Sequence, residues 1–185
     1  MSTKHQDAGA GGLSIAAQLP FNPLAFTGPV LVVMDMQPGF KAAEDAITQW
    51  FVKQEITRAR EEGRPIIIVE FDAHEMGETF DSIKALIEGY DRAVIIPKSQ
   101  DDGSTEIFNA CEKNNFSTAS FRMCGVNSDA CLLESIQMMA EKLPMCRITV
   151  VQDACNCLTG RTNDVWHEDY PAIAQVTVEL HGQGH

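Results

Sequence analysis

Two cysteines seven positions apart, Cys124 and Cys131, flank a glycine and a short polar stretch in FRMCGVNSDACLL. A thiol attacks efficiently only as the thiolate, and its pKa falls beside a Lys or in the first turn of a helix. With Ser128 as N-cap of a helix running through DACLLESIQMMAEKL, Cys131 is the third residue, where free N–H groups and the macrodipole favour negative charge. Lys98 offers the cation. Asp35 is a group able to take the thiol proton and return it to a leaving amine. Unpaired N–H groups near Asn127 and Cys131 suit the oxyanion of a tetrahedral intermediate. Combined, these groups describe acyl transfer through a covalent thioester.

The surrounding pattern must bring these positions together. PVLVVMD, RPIIIVEFD, RAVIIPK, STASFRMCG and CRITVVQDA are short, continuous apolar runs, as expected of parallel strands buried on both faces, and QVTVEL supplies a sixth. Helical spacing lies between them in AEDAITQWFVKQEITRAREEG, ETFDSIKALIEG, GSTEIFNACEKN and DACLLESIQMMAEKL, with a last helix expected around TNDVWHEDYPAIA. Strands alternating with helices predict an α/β fold: a doubly wound, six-stranded, mostly parallel sheet with helices on both faces. Residues 1–28, rich in Gly, Ala and Ser, read as an N-terminal arm, and 29–185 as one domain. In such sheets ligands bind beyond the carboxyl ends of the strands. Asp35, Asp72 with His74, Lys98 and the CGVNSDAC segment all fall at those ends.

Composition narrows the function. Fourteen basic against twenty-six acidic side chains give a formal charge of −12, which repels phosphate backbones and anionic membranes, so neither nucleic acid nor membrane is an expected partner. No apolar run is long enough to span a bilayer, and the opening residues lack the apolar core of a secretory signal, which makes the cytoplasm the expected location. The six cysteines are expected reduced. There is no C-x-x-C and no His pair at zinc spacing, which argues against a structural zinc site. Cys111, Cys124 and Cys146 read as small buried hydrophobes, Cys155 and Cys157 as structural, His167 as a locally bonded helix residue, and Met138 and Met139 as core or interface.

LVVMDMQPGF, VIIPK and CGVNSDACLLES, followed by VVQDACNC, resemble in order and spacing the isochorismatase-like, or cysteine hydrolase, family, over roughly residues 28–180. The resemblance is greatest to amide-hydrolysing members such as nicotinamidases and N-carbamoylsarcosine amidohydrolases. It implies Asp35 as acid/base, Lys98 as the cation that stabilises the thiolate, and Cys131 as nucleophile. It also implies a cis peptide at Val126–Asn127 that turns the Asn127 N–H, with that of Cys131, into an oxyanion hole. Gln37, Phe40 and Asp72 are the implied pocket residues, and a homodimer or higher homo-oligomer is the implied assembly. No cofactor is required. A divalent, zinc-like metal is admitted because Asp72 and His74 match the first two ligands of the nicotinamidase site, although no second histidine follows before Lys98. Glu75 or Glu78 are the available substitutes.

The chain departs from the family pattern in two informative ways. Isochorismatases proper, which cleave a vinyl ether, generally lack the cysteine, so its presence favours C–N bond hydrolysis. After Lys98 the family usually carries small residues and an aromatic, whereas SQDDGSTEIF puts Asp101 and Asp102 near the mouth. The alternatives are vinyl-ether hydrolysis and a non-catalytic relative that uses the same cleft to bind a small molecule or partner.

Overall fold

The β-branched runs become strands and the helical runs pack across them. The computed structural model describes residues 28–160 and 164–182. The expected N-terminal arm lies outside the described residues except for Gly28. Strands β1 (Val30–Met34), β2 (Ile66–Phe71), β3 (Ala93–Lys98), β4 (Ser120–Val126), β5 (Arg147–Asn156) and β6 (Val176–Glu179) form one six-stranded sheet in the order β3-β2-β1-β4-β5-β6. Every pairing is parallel. All five β1 residues are fully buried, the signature of a strand covered on both faces.

Helix α1 (Ala46–Glu61) starts where the Asp45 carboxylate accepts the Thr48 N–H at 2.7 Å. Helices α2 (Ala73–Met76), α3 (Asp81–Ile87), α4 (Ser104–Asn114), α5 (Cys131–Lys142) and α6 (Asp169–Ala172) follow. The chain steps from β1 through β2 to β3 in one direction and from β4 through β5 to β6 in the other. Right-handed crossovers therefore send α1 and α5 to opposite faces. The reversal lies between β1 and β4, and there Gly125 comes so close to β1 that an added Cβ would stand 2.1 Å from the Met34 carbonyl oxygen. Its φ of +116° is equally closed to other residues.

Three expectations change. β3 is an edge strand, and Ile95 on it is 42% exposed, because its position at the end of the sheet leaves one side without a neighbour. Pro97 suits such an edge. Helix α5 begins at Cys131 with Ala130 as N-cap and no side-chain cap. Cys131 is thus its first residue and not its third, because Ser128 is held back in the preceding turn by a 2.9 Å bond from its N–H to the Asn156 carbonyl. The last helix is two single turns, Asp164–Trp166 and α6, with exposed His167 between them. No described helix is long and apolar enough to cross a membrane.

Candidate active site

Lys98 closes β3 and Asp35 follows β1, with β2 between them. Two strand spacings amount to about 10 Å, a gap that a long lysine side chain can span over the intervening strand. Lys98 Nζ passes 4.9 Å from the centroid of Phe71, the last residue of β2, and reaches 2.9 Å from Asp35 Oδ2. Both side chains are fully buried. The contact is an ion pair without hydrogen-bond alignment, and neither Asp35 oxygen has an aligned donor. Lys98 Nζ instead donates to the Gln100 and Asp101 carbonyl oxygens at 3.2 and 3.1 Å, tying down the loop that follows β3. Asp35 holds a left-handed φ of 51°, which turns the chain out of β1 at the level where Gln37 N bonds back to Asp35 O.

Cys131 reaches the same place from across the switch point and is 3% exposed. Its Sγ donates to Asp101 Oδ1 at 3.5 Å. Burial, and then the charge of Asp35, push the thiol from 9.0 up to about 12, while the Lys98 charge pulls the other way. The expectation of a depressed thiol pKa therefore gives way: withdrawal from water and two nearby carboxylates outweigh the cation. Burial also lifts Asp35 from 3.8 to about 6 against the opposing pull of Lys98. At rest the proton sits on sulfur, beside a carboxylate whose oxygens lack aligned donors.

The turn between β4 and α5 contains the expected cis peptide at Val126–Asn127. Its carbonyls are committed: Asn127 O accepts from Ala130 N and Leu132 N at 3.2 and 3.1 Å, and Ser128 O accepts the Tyr170 hydroxyl at 2.7 Å. Neither the Asn127 N–H nor the Cys131 N–H donates to a backbone oxygen of another turn or cap among the described residues. Ser135, one turn into α5, donates to Cys131 O at 2.7 Å and accepts Gly103 N at 2.8 Å, locking the loop after β3 against the helix that carries the thiol.

The other expected site residues separate. Phe40 packs edge-on against Phe71 at 6.1 Å between ring centroids, part of the wall around Lys98. Gln37 is fully buried and its amide is committed to backbone: Nε2 donates to Phe71 O and Gly77 O at 2.9 and 2.5 Å, and Oε1 accepts Phe71 N at 2.8 Å. It braces the end of β2 and leaves no amide group for a ligand. Asp72 and His74 are exposed at the start of α2, and no group of three His, Cys, Asp or Glu among the described residues is arranged to hold a metal ion. Among the described residues the donor set for a zinc-like ion is thus incomplete. Sequence reasoning missed Phe71, Ser135, Asn156 and Tyr170. Phe71 ends an apolar run, and only the sheet order shows that it lies under Lys98.

No family model and no curated protein matches the sequence. Solved structures do. A MAR1 ribonuclease from Caenorhabditis elegans aligns over 84% of this chain and 78% of its own at 18% identity, with a TM-score of 0.68. An isochorismatase from Pseudomonas putida aligns over 86% and 91% at 16% identity and a TM-score of 0.66. N-carbamoylsarcosine amidase from Thermoplasma acidophilum aligns over 85% and 98% at 17% identity and 0.64. At these identities the likeness is one of fold, and that fold is the isochorismatase-like α/β architecture.

Proposed function

We propose that this chain is a cysteine-dependent hydrolase that cleaves the C–N bond of a small amide, imide or carbamoyl compound. The observation that carries the reading is the convergence of Asp35, Lys98 and Cys131, from three separate segments, at the switch point of the sheet. In this reading Asp35 accepts the Cys131 proton as Sγ attacks the carbonyl carbon. The N–H groups of Asn127 and Cys131 hold the oxyanion. Asp35 then gives its proton to the nitrogen as the C–N bond breaks, and the amine or ammonia leaves. Water, deprotonated by Asp35, attacks the thioester, and the acid departs as the thiol is restored. Lys98, 2.9 Å away, orients Asp35 and favours its ionised form before the attack. With the thiol pushed up to about 12, proton transfer accompanies attack and does not precede it.

Similarity of fold to an amidase supports C–N cleavage, and the presence of Cys131 supports it over vinyl-ether cleavage. A formal charge of −12 and two carboxylates at the thiol disfavour a polyanion such as RNA as substrate. The test is ammonia release from a panel of small amides, imides and carbamoyl compounds, wild type beside Cys131→Ala. Release by the wild type alone supports the reading. Equal release by both variants moves the chemistry off the cysteine, and release by neither favours a binding protein. A cytoplasmic homo-oligomer remains the proposed setting, testable by light scattering and localisation.

A further inference from the structure

The proposed reaction uses one carboxylate, Asp35, and the site holds two. Asp101 is exposed at the mouth, and its Oδ1 lies 3.5 Å from the sulfur that would attack. Its backbone is held on both sides. The Asp101 carbonyl accepts from Lys98 Nζ at 3.1 Å, the Gly103 N–H donates to Ser135, and Asp102 Oδ1 accepts Ser104 N at 2.7 Å. The loop therefore holds the carboxylate over the thiol. Gly103 is part of that fit, since an added Cβ would stand 3.1 Å from Lys98 Cδ. Inside the site, Asp35 is wholly buried and lacks aligned donors. Asp35 and Asp101 stand against the single Lys98 ammonium, and the neighbouring Asp102 is matched by Lys142 at 3.9 Å, so the mouth stays negative.

Because Asp101 Oδ1 lies 3.5 Å from Cys131 Sγ, a group next to a carbonyl carbon that sits at the sulfur comes within reach of that carboxylate. Opposite charge at such a distance attracts, and like charge repels, even when water screens the pair. Resting on the hydrolase reading above, we infer that Asp101 is a specificity-determining residue that selects amides carrying a cationic group one carbon from the scissile carbonyl and rejects those carrying a carboxylate there. The selected class is an α-ammonium amide, and a carboxylate-bearing carbamoyl compound is disfavoured.

Two measurements test this separately from the hydrolase reading. The first compares Cys131 modification by cationic trimethylammonioethyl methanethiosulfonate and anionic sulfonatoethyl methanethiosulfonate, mapped by peptide mass spectrometry and normalised to a small free thiol. The ratio of the two rates cancels any change in thiol acidity. A wild-type preference for the cation of about tenfold or more, abolished in Asp101→Asn and kept in Glu106→Gln, which removes a carboxylate from the first turn of α4, is the expected result. An unchanged ratio in Asp101→Asn, or no modification of Cys131 by either reagent, overturns the inference. The second compares kcat/KM for glycinamide, propionamide and malonamate, expected to fall in that order for the wild type and to level in Asp101→Asn. A charge-selective thiol without hydrolysis of any amide defeats the hydrolase reading alone. Hydrolysis without the Asp101-dependent charge preference defeats the specificity role alone.

Discussion

Two buried ion pairs sit on the strands of this sheet, and they are built in opposite ways. In one, Arg122 on β4 grips Glu55 of α1 with Nε at 2.6 Å and Nη2 at 3.0 Å, while Nη1 reaches Glu179 on β6 at 2.9 Å. His181 Nδ1 adds a further contact to Glu55 at 2.7 Å, and the His181 backbone N–H donates to the Asp153 carboxylate. In the other, Asp35 meets a single ammonium and the Cys131 thiol, neither in an aligned hydrogen bond. Burial pushes both carboxyls up. At Glu55 the hydrogen bonds and charge of Arg122, with those of His181, outweigh burial and hold the carboxyl below its ordinary 4.5. At Asp35 burial wins and the value is about 6. A saturated carboxylate is fixed as an anion and serves structure, whereas an under-satisfied one is free to take a proton and serves transfer.

Breaking each pair should expose that difference. Arg122→Met strands a buried Glu55 beside only His181 and should cost about 3–5 kcal/mol by denaturant unfolding. The surviving folded fraction should hydrolyse substrate at the wild-type rate per molecule. Lys98→Met should cost less, about 1–3 kcal/mol, because Asp35 can neutralise itself by taking up a proton. Its amide hydrolysis should nevertheless fall by about a hundredfold, since Asp35 is then no longer an anion at neutral pH. Equal stability losses in the two variants would remove the distinction.

The pH dependences should run in opposite senses. Between 3.8 and about 6 the folded chain keeps a proton on Asp35 that the unfolded chain has lost, so this group's contribution to stability declines as pH rises through that window. Glu55 contributes fully above its ordinary 4.5 and loses that contribution as pH falls below it. Asp35→Asn should therefore remove a falling component of stability between pH 4 and 6, and Glu55→Gln a rising one on the acid side, both measurable by urea titration across pH. The same ionisation of Asp35 should give kcat/KM an acid limb near pH 6. The smallest expected effect is that of His181→Asn, which loses one contact of a saturated network and should cost about 1 kcal/mol.

The strands and their carboxyl-end residues were legible because continuous β-branched runs mark parallel strands, and the charges of Asp35 and Lys98 stand out at their ends, even though β3 proves to be a partly exposed edge. The Glu55–Arg122 pair was not legible. Arg122 lies inside an apolar strand and Glu55 in an ordinary amphipathic helix, and only the crossover of α1 onto β4 and β5 brings them together. The resemblance implies Gln37 as a pocket residue, whereas its amide closes a backbone bridge between β2 and the α2 segment. The start of α5 shifted to Cys131 because a tertiary bond from Ser128 to β5 competes with local capping. Asp101 was visible in sequence as an acid near the mouth, but its placement on the thiol depends on Ser135 and Lys98 holding the loop from opposite sides.

In the proposed reaction the under-satisfied Asp35–Lys98 pair serves the Cys131 thiol in acyl transfer. Acid quenching during turnover of an active amide, followed by peptide mass spectrometry, measures this directly. The substrate's acyl group should appear as a thioester on the Cys131 peptide, with both adduct and ammonia release lost in Cys131→Ala. Ammonia release that persists in Cys131→Ala would contradict the proposed reaction.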